Sequence, residues 1–185
     1  MREFIINPCD GLKIRKAEEK DYPFILRVNE ENVEVLSPMD EGRIREFSEW
    51  AELFLIAEAG DEPVAFLIGL REGLAAYDSE NYLWFSKNYE KFLYIDRIVI
   101  DAPYRRSGVG KTLYQEVFHH ANATGVPFVT AEIDTEPYNE ESLSFHQAMG
   151  FREVGVQTVR NNTIKVSLQE AKVKNDRSIE VNHGR

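Results

Sequence analysis

The chain has 185 residues, 43% apolar and 29% charged, the balance of one globular domain with a full core. Its formal charge of −10 argues against non-specific nucleic-acid binding, which needs a basic surface, and either serves solubility alone or favours cationic substrates such as amines. No apolar run can span a bilayer, no signal-peptide core follows Met1, and the single Cys9 permits no internal disulfide or zinc cluster, so a reducing cytoplasm is the expected setting.

Leu12 to Arg15 alternates apolar and polar residues and predicts a short strand. Glu18 to Pro23 opens a helix carrying Ile25, Leu26 and Val28, and Ser37 or Asp40 caps a second one carrying Ile44, Phe47 and Ala51. Leu53–Ala59 and Val64–Leu70 form a hairpin about the turn Gly60–Pro63. The stretch from Arg71 to Lys91 is a longer insertion, with Ser79 placed to cap a short helix. It is also the most aromatic segment, holding Tyr77, Tyr82, Trp84, Phe85 and Tyr89. Those rings either pack the segment onto the body or form a lid over a substrate.

Phe92–Ile100 is the next strand, and Pro103 ends it because proline has no N–H to donate. A helix from about Gly108 follows, with Val109, Leu113 and Val117 on one face. Phe128–Asp134 is a further strand, and Asn139 caps a helix that Gly150 terminates. Phe151–Arg160 and Thr163–Leu168 form a last hairpin about Asn161-Asn162, and the polar stretch from Gln169 reads as a frayed tail. The expectation is therefore one α+β domain over residues 1–170, with a mostly antiparallel mixed sheet of about seven strands flanked by helices, and a tail over 171–185.

Gly108 and Gly110 stand where strand becomes helix. The first N–H groups of a helix lack internal partners and its dipole makes that end positive, so an anion such as a pyrophosphate fits there. Arg105, Arg106 and Lys111 surround the turn with cations. Gly110-Lys111-Thr112 matches the end of a Walker loop, but its first glycine would fall at Arg105, and the dinucleotide fingerprint fails at Leu113.

What remains, Arg105-x-x-Gly108-x-Gly110 after an apolar strand, resembles the acyl-CoA loop of the GNAT N-acetyltransferase superfamily. Asn139-x-x-Ser142-x-x-Phe145-His146-x-x-x-Gly150-Phe151 resembles that superfamily's second signature helix, with His146 where many relatives carry tyrosine. The resemblance covers roughly Lys13 to Leu168. It implies a GNAT fold whose sheet is split between its fourth and fifth strands, with acetyl-CoA as co-substrate and no metal. The backbone of Ile98, Val99 and Ile100 would hold the pantetheine arm. Arg105, Arg106, Ser107, Gly108, Val109 and Gly110 would hold the pyrophosphate, with Lys111 and Thr112 at the helix start. Asn139, Ser142, Phe145 and His146 would close the arm from the other side.

The implied reaction is direct transfer of an acetyl group to the amine of a small or amino-acid-like acceptor, within a ternary complex. His146 and Tyr138 are the candidate acids for the leaving sulfur. Asp96, read as sharing a strand face with Tyr94 and Ile98, and Glu132, on the facing strand with Phe128 and Thr130, are the candidate bases. Each carboxylate has a plain alternative as a paired structural charge. Tyr82, Trp84, Phe85, Tyr94 and Glu132 are the candidate acceptor contacts. The competing function is a non-catalytic acyl-CoA sensor, and the edge strands and C-terminal segment are the surfaces a homodimer would use.

Overall fold

The computed structural model describes residues 11–174 except Val35, Pro137 and Asn161. Cys9 and the end of the chain lie outside the described residues. Seven strands form one sheet: β1 (Leu12–Lys16), β2 (Leu53–Ala59), β3 (Glu62–Arg71), β4 (Leu93–Ile100), β5 (Phe128–Glu136), β6 (Arg152–Val159) and β7 (Ile164–Lys172). Their spatial order is β1-β2-β3-β4-β5-β7-β6, antiparallel except for the parallel pair β4–β5. The helices are α1 (Tyr22–Glu30), α2 (Glu41–Trp50), α3 (Glu80–Asn88), α4 (Val109–Ala123) and α5 (Glu140–Ala148).

The near-continuous apolar runs of β2 and β3 reflect helices on both faces of the sheet. On one face α1, α2 and α3 bury Ile25, Val28, Ile44, Phe47, Tyr82 and Phe85 against Ile56, Phe66, Ile68 and Tyr94. On the other, α4 buries Leu113, Tyr114, Val117 and Ala121 against Leu55, Leu67, Ile95 and Val129. The caps are those expected. Asp40 accepts from the Arg43 N–H, Ser79 from Tyr82 and Asn139 from Ser142.

The sheet divides where the resemblance implied. β4 and β5 share only the register pairs Leu93↔Val129 and Tyr94↔Thr130; beyond them β4 pairs with β3 alone and β5 with β7 alone.

Two expectations need correction. Asp96 does not share a face with both Tyr94 and Ile98, because β4 carries a bulge: Ile68 pairs with Arg97 and Gly69 with Ile95, leaving Asp96 as the extra residue. Tyr94 belongs to the α1–α3 core while Ile98 packs on the α4 side, and Asp96 and Arg97 both turn toward the former. Second, Gln169–Lys172 is not tail but the end of β7, paired with Phe128–Ala131. Glu170 is buried there because Arg152 and the Tyr89 hydroxyl bind its carboxylate.

Candidate active site

Where β4 and β5 part, the β4 backbone from Ile95 to Ile100 presents an edge that no neighbouring strand completes. The chain then makes one 3-10 turn, Ala102–Tyr104, and enters α4. Gly108 sits at the helix N-cap with φ of 92°, which glycine adopts without strain, and Arg106 takes φ of 61° just before it. The N-cap glycine has no side chain with which to cap this end, so the first N–H groups of α4 point outward as an anion would need. Arg105 braces the loop, donating to the Ile100 carbonyl at 3.3 Å and to Asn32 at 2.8 Å. Ser107 donates to the Tyr104 carbonyl at 2.5 Å, and Thr112 donates back to Gly108. Arg106 is exposed beside Glu141.

Gly110 is glycine because of its neighbours. A Cβ there would meet Ile100 Cδ1 and Phe145 Cζ, each at 3.1 Å. The two signature segments therefore touch: α4 lies close enough on β4 and α5 that only hydrogen fits between. Asn139 spends its carbonyl oxygen on the Ser142 N–H at 3.1 Å, which leaves the NH2 group of its amide with donors to give.

On the opposite face of the sheet a cavity of about 300 Å³ opens among β4, β5, α2, the insertion and the β6–β7 turn. At its inner end lies Glu132. Glu132 Oε2, the Tyr94 hydroxyl and Thr130 Oγ1 are buried and complete no hydrogen bond. These three lie together at the place where two strands separate, although buried polar groups are as a rule partnered. Burial pushes the Glu132 carboxyl up to about 7. The nearby Tyr94 hydroxyl and Asn81 amide hold it down, while the Asp96 charge adds to the rise. Asp134, two residues on, is also pushed up by burial, opposed by Arg160.

Asp96 is already partnered. Arg97 Nε donates to it at 2.7 Å, the Tyr77 hydroxyl donates to its other oxygen, and the Asp96 and Arg97 side chains are 3% and 5% exposed. Arg97 further donates to Asn29 at 2.7 Å and to the Ser37 carbonyl at 3.1 Å. This network ties the insertion to the bulge. It holds both carboxylate oxygens of Asp96 in place.

Residues 13–151 match the acetyltransferase (GNAT) family. The chain belongs to that family. No curated protein matches it in sequence, but solved structures share its fold. Ard1 from Thermoplasma volcanium covers 89% of this chain and 99% of its own at 16% identity, with a TM-score of 0.71. Naa20 of Chaetomium thermophilum, solved in complex with a bisubstrate analogue, covers 94% of each chain at 19% identity and 0.69. The ribosomal-protein-S18-alanine N-acetyltransferase of Escherichia coli covers 91% of this chain and 98% of its own at 14% identity and 0.66.

The GNAT domain brings some of the sequence-predicted residues together and separates others. Glu132 and Asp96 line the cavity, and Tyr94 lies beside Glu132. His146 does not line it. Its ring, 5% exposed, packs among Tyr114, Phe145 and Phe151. Nδ1 reaches the Ser142 carbonyl and Nε2 the Tyr114 hydroxyl, both at 2.7 Å, so Nδ1 donates and the tyrosine donates to Nε2. Burial lowers its pKa, which keeps the ring neutral. Tyr138 is 70% exposed beside Asn139.

Tyr82 and Phe85 are core residues, and Trp84 lies against Gly155 of β6. These three rings pack onto the body of the protein, and the insertion reaches the cavity through Tyr77, Asp78, Ser79, Glu80 and Asn81. The sequence reading missed Ser37, Arg43, Asp134 and Arg160, which also line it. They come from three distant segments, and nothing local in the sequence joins them. Among the described residues no group of three or more His, Cys, Asp or Glu could hold a metal, and no helix is long and apolar enough to cross a membrane.

Proposed function

We propose that this chain moves an acetyl group from acetyl-CoA to the primary amine of a small or amino-acid-like acceptor, directly, within a ternary complex. The observation that carries the reading is Glu132, a carboxylate with an unpartnered oxygen lining a cavity where the sheet opens. Acetyl-CoA supplies the acyl group as an activated thioester. Its arm is held by the open backbone edge of Ile98, Val99 and Ile100 and by the Asn139 amide. Its pyrophosphate is held by the N-terminal amides of α4 with Arg105, Arg106 and Lys111. These elements fit the group: the edge needs a partner, and the helix start has uncapped donors.

Glu132 takes the proton that an incoming ammonium must lose before its nitrogen can attack. A carboxyl with a pKa of about 7 is matched to that task near neutral pH. A β4 amide near Ile98 steadies charge developing on the carbonyl oxygen, and holding both reactants in the wedge replaces a chance encounter with a set geometry. Tyr138, rather than the enclosed His146, is the hydroxyl open to the departing sulfur. A small acceptor fits a cavity of about 300 Å³ with an insertion packed over one side.

The test combines calorimetric titration with acetyl-CoA, deuterium exchange over residues 105–112, and thiol release across an amine panel with products identified by mass spectrometry. Binding heat, protection of that loop and an acetylated small amine are expected. Silence in all three refutes the reading, and turnover restricted to peptides refutes the small acceptor.

A further inference from the structure

We infer that the acceptor is a zwitterion, an amino acid whose ammonium meets Glu132 while its carboxylate is taken by Arg160 and Ser37 at the mouth of the cavity. The inference rests on the acetyl-transfer reading and adds the acceptor's second charge.

The cavity lining carries both signs. Asp78, Glu80, Asp96, Glu132 and Asp134 face it with Arg43, Arg97 and Arg160. What matters is which charges are already spent. Arg97 and Asp96 form an ion pair and are enclosed, and Nη1 of the Arg97 fork is held by Asn29 and the Ser37 carbonyl. Arg43 is paired with Glu46 at 2.9 Å and lies over the rings of Phe47, Trp50 and Tyr77 at 5.1 to 5.5 Å.

Arg160 is different. Among the described residues it has no carboxylate at ion-pairing distance, and its guanidinium donates to a neutral atom, Ser37 Oγ, at 3.1 Å. Asp134 is close enough to feel its charge without binding it. Ser37 Oγ, having accepted from Arg160, keeps its own proton to give. A guanidinium and a hydroxyl therefore meet on one wall with donors to spare, which is what a carboxylate requires.

Arg160 also takes a left-handed backbone, φ 51°, and its carbonyl is pinned by the Thr163 hydroxyl at 2.6 Å and the Thr163 N–H at 3.3 Å. That turn fixes where the side chain starts from. A diamine would bring its second cation to this arginine, and a peptide N-terminus has an amide where the carboxylate should be. Both fit the wall less well.

The experiment measures kcat/KM for free amino acids, their methyl esters, 1,4-diaminobutane and a tetrapeptide, in wild type, Arg160→Gln and Arg160→Lys. Esters have less basic amines than the acids, so the decisive quantity is how the acid-to-ester ratio responds to position 160. Wild type should prefer a free amino acid over the diamine and the peptide. Arg160→Gln should lower the acid-to-ester ratio by on the order of tenfold or more, as loss of a charged hydrogen bond does, and Arg160→Lys should keep part of it. A ratio unmoved by Arg160→Gln, or a diamine or peptide as the best acceptor, overturns the zwitterion while leaving acetyl transfer standing. No thiol release above background with any of these acceptors overturns both.

Discussion

Replacing Glu132 by glutamine separates its catalytic role from its structural cost, because the two have opposite signs. The native protein holds this carboxyl at a pKa of about 7 against an ordinary 4.5, chiefly through burial. Between those values the folded state keeps a proton that the unfolded state has released, so stability falls as pH rises from about 4.5 to 7 and is level above. At about 1.4 kcal/mol per pH unit, the full penalty approaches about 3 kcal/mol. Glutamine has the shape of the protonated acid and carries no charge. Glu132→Gln should therefore match wild type near pH 4.5 and exceed its stability by up to about 3 kcal/mol at pH 8.5, or roughly 6–12 °C in Tm for a domain of this size.

Urea unfolding of both proteins at the two pH values gives the difference directly, and groups remote from Glu132 contribute equally to both. The same variant should lose about 10²- to 10⁴-fold in kcat, the usual worth of a positioned base, and wild-type kcat should rise with pH through about 7. Equal stabilities at pH 8.5, or a variant that stays fully active, would refute the reasoning.

The close approach of α4 to β4 and α5 predicts that Gly110→Ala costs about 1–3 kcal/mol in urea unfolding and weakens acetyl-CoA binding in calorimetry, since its methyl group would press on Ile100 and Phe145 at 3.1 Å. Gly155→Ala should destabilise by a similar amount, because the new Cβ would stand 2.8 Å from Trp84 Cζ2; unchanged Tm would mean that the insertion is not packed on β6 as described. His146→Phe should leave kcat within a few-fold of wild type and lower stability by about 1–3 kcal/mol through the stranded Tyr114 hydroxyl. It should also shrink the loss of wild-type stability below pH 6.5, since a ring kept neutral in the fold takes up its proton only on unfolding.

The order of elements, the caps at Asp40, Ser79 and Asn139 and the glycine-rich turn before α4 were legible because each depends on a residue and its near neighbours in sequence. The site was legible only in part. Strict alternation along β4 put Asp96 with Tyr94 and Ile98, but one extra residue in that strand turns Asp96 and Arg97 to the same side. A bulge of this kind is set by register with β3 and leaves no mark in the strand's own composition. His146 sits in a recognisable helix motif, yet which way it faces depends on how α5 lies on Tyr114. Gln169 and Glu170 look like tail residues until Arg152 and Tyr89 are known to bind the glutamate. Arg160 follows from the conformation of a turn, and its partner Ser37 is more than a hundred residues away in the chain.

Only two register pairs join β4 to β5. A sheet with so few rungs at its middle leaves its two wings loosely sewn, and a slender ligand lying in the gap would serve as the missing seam. Melting temperature should then report on cellular supply. Past saturation, each tenfold increase in a wedge-filling thioester adds about 1.4 kcal/mol to apparent stability, so starved and fed cells would hold this protein at different distances from unfolding.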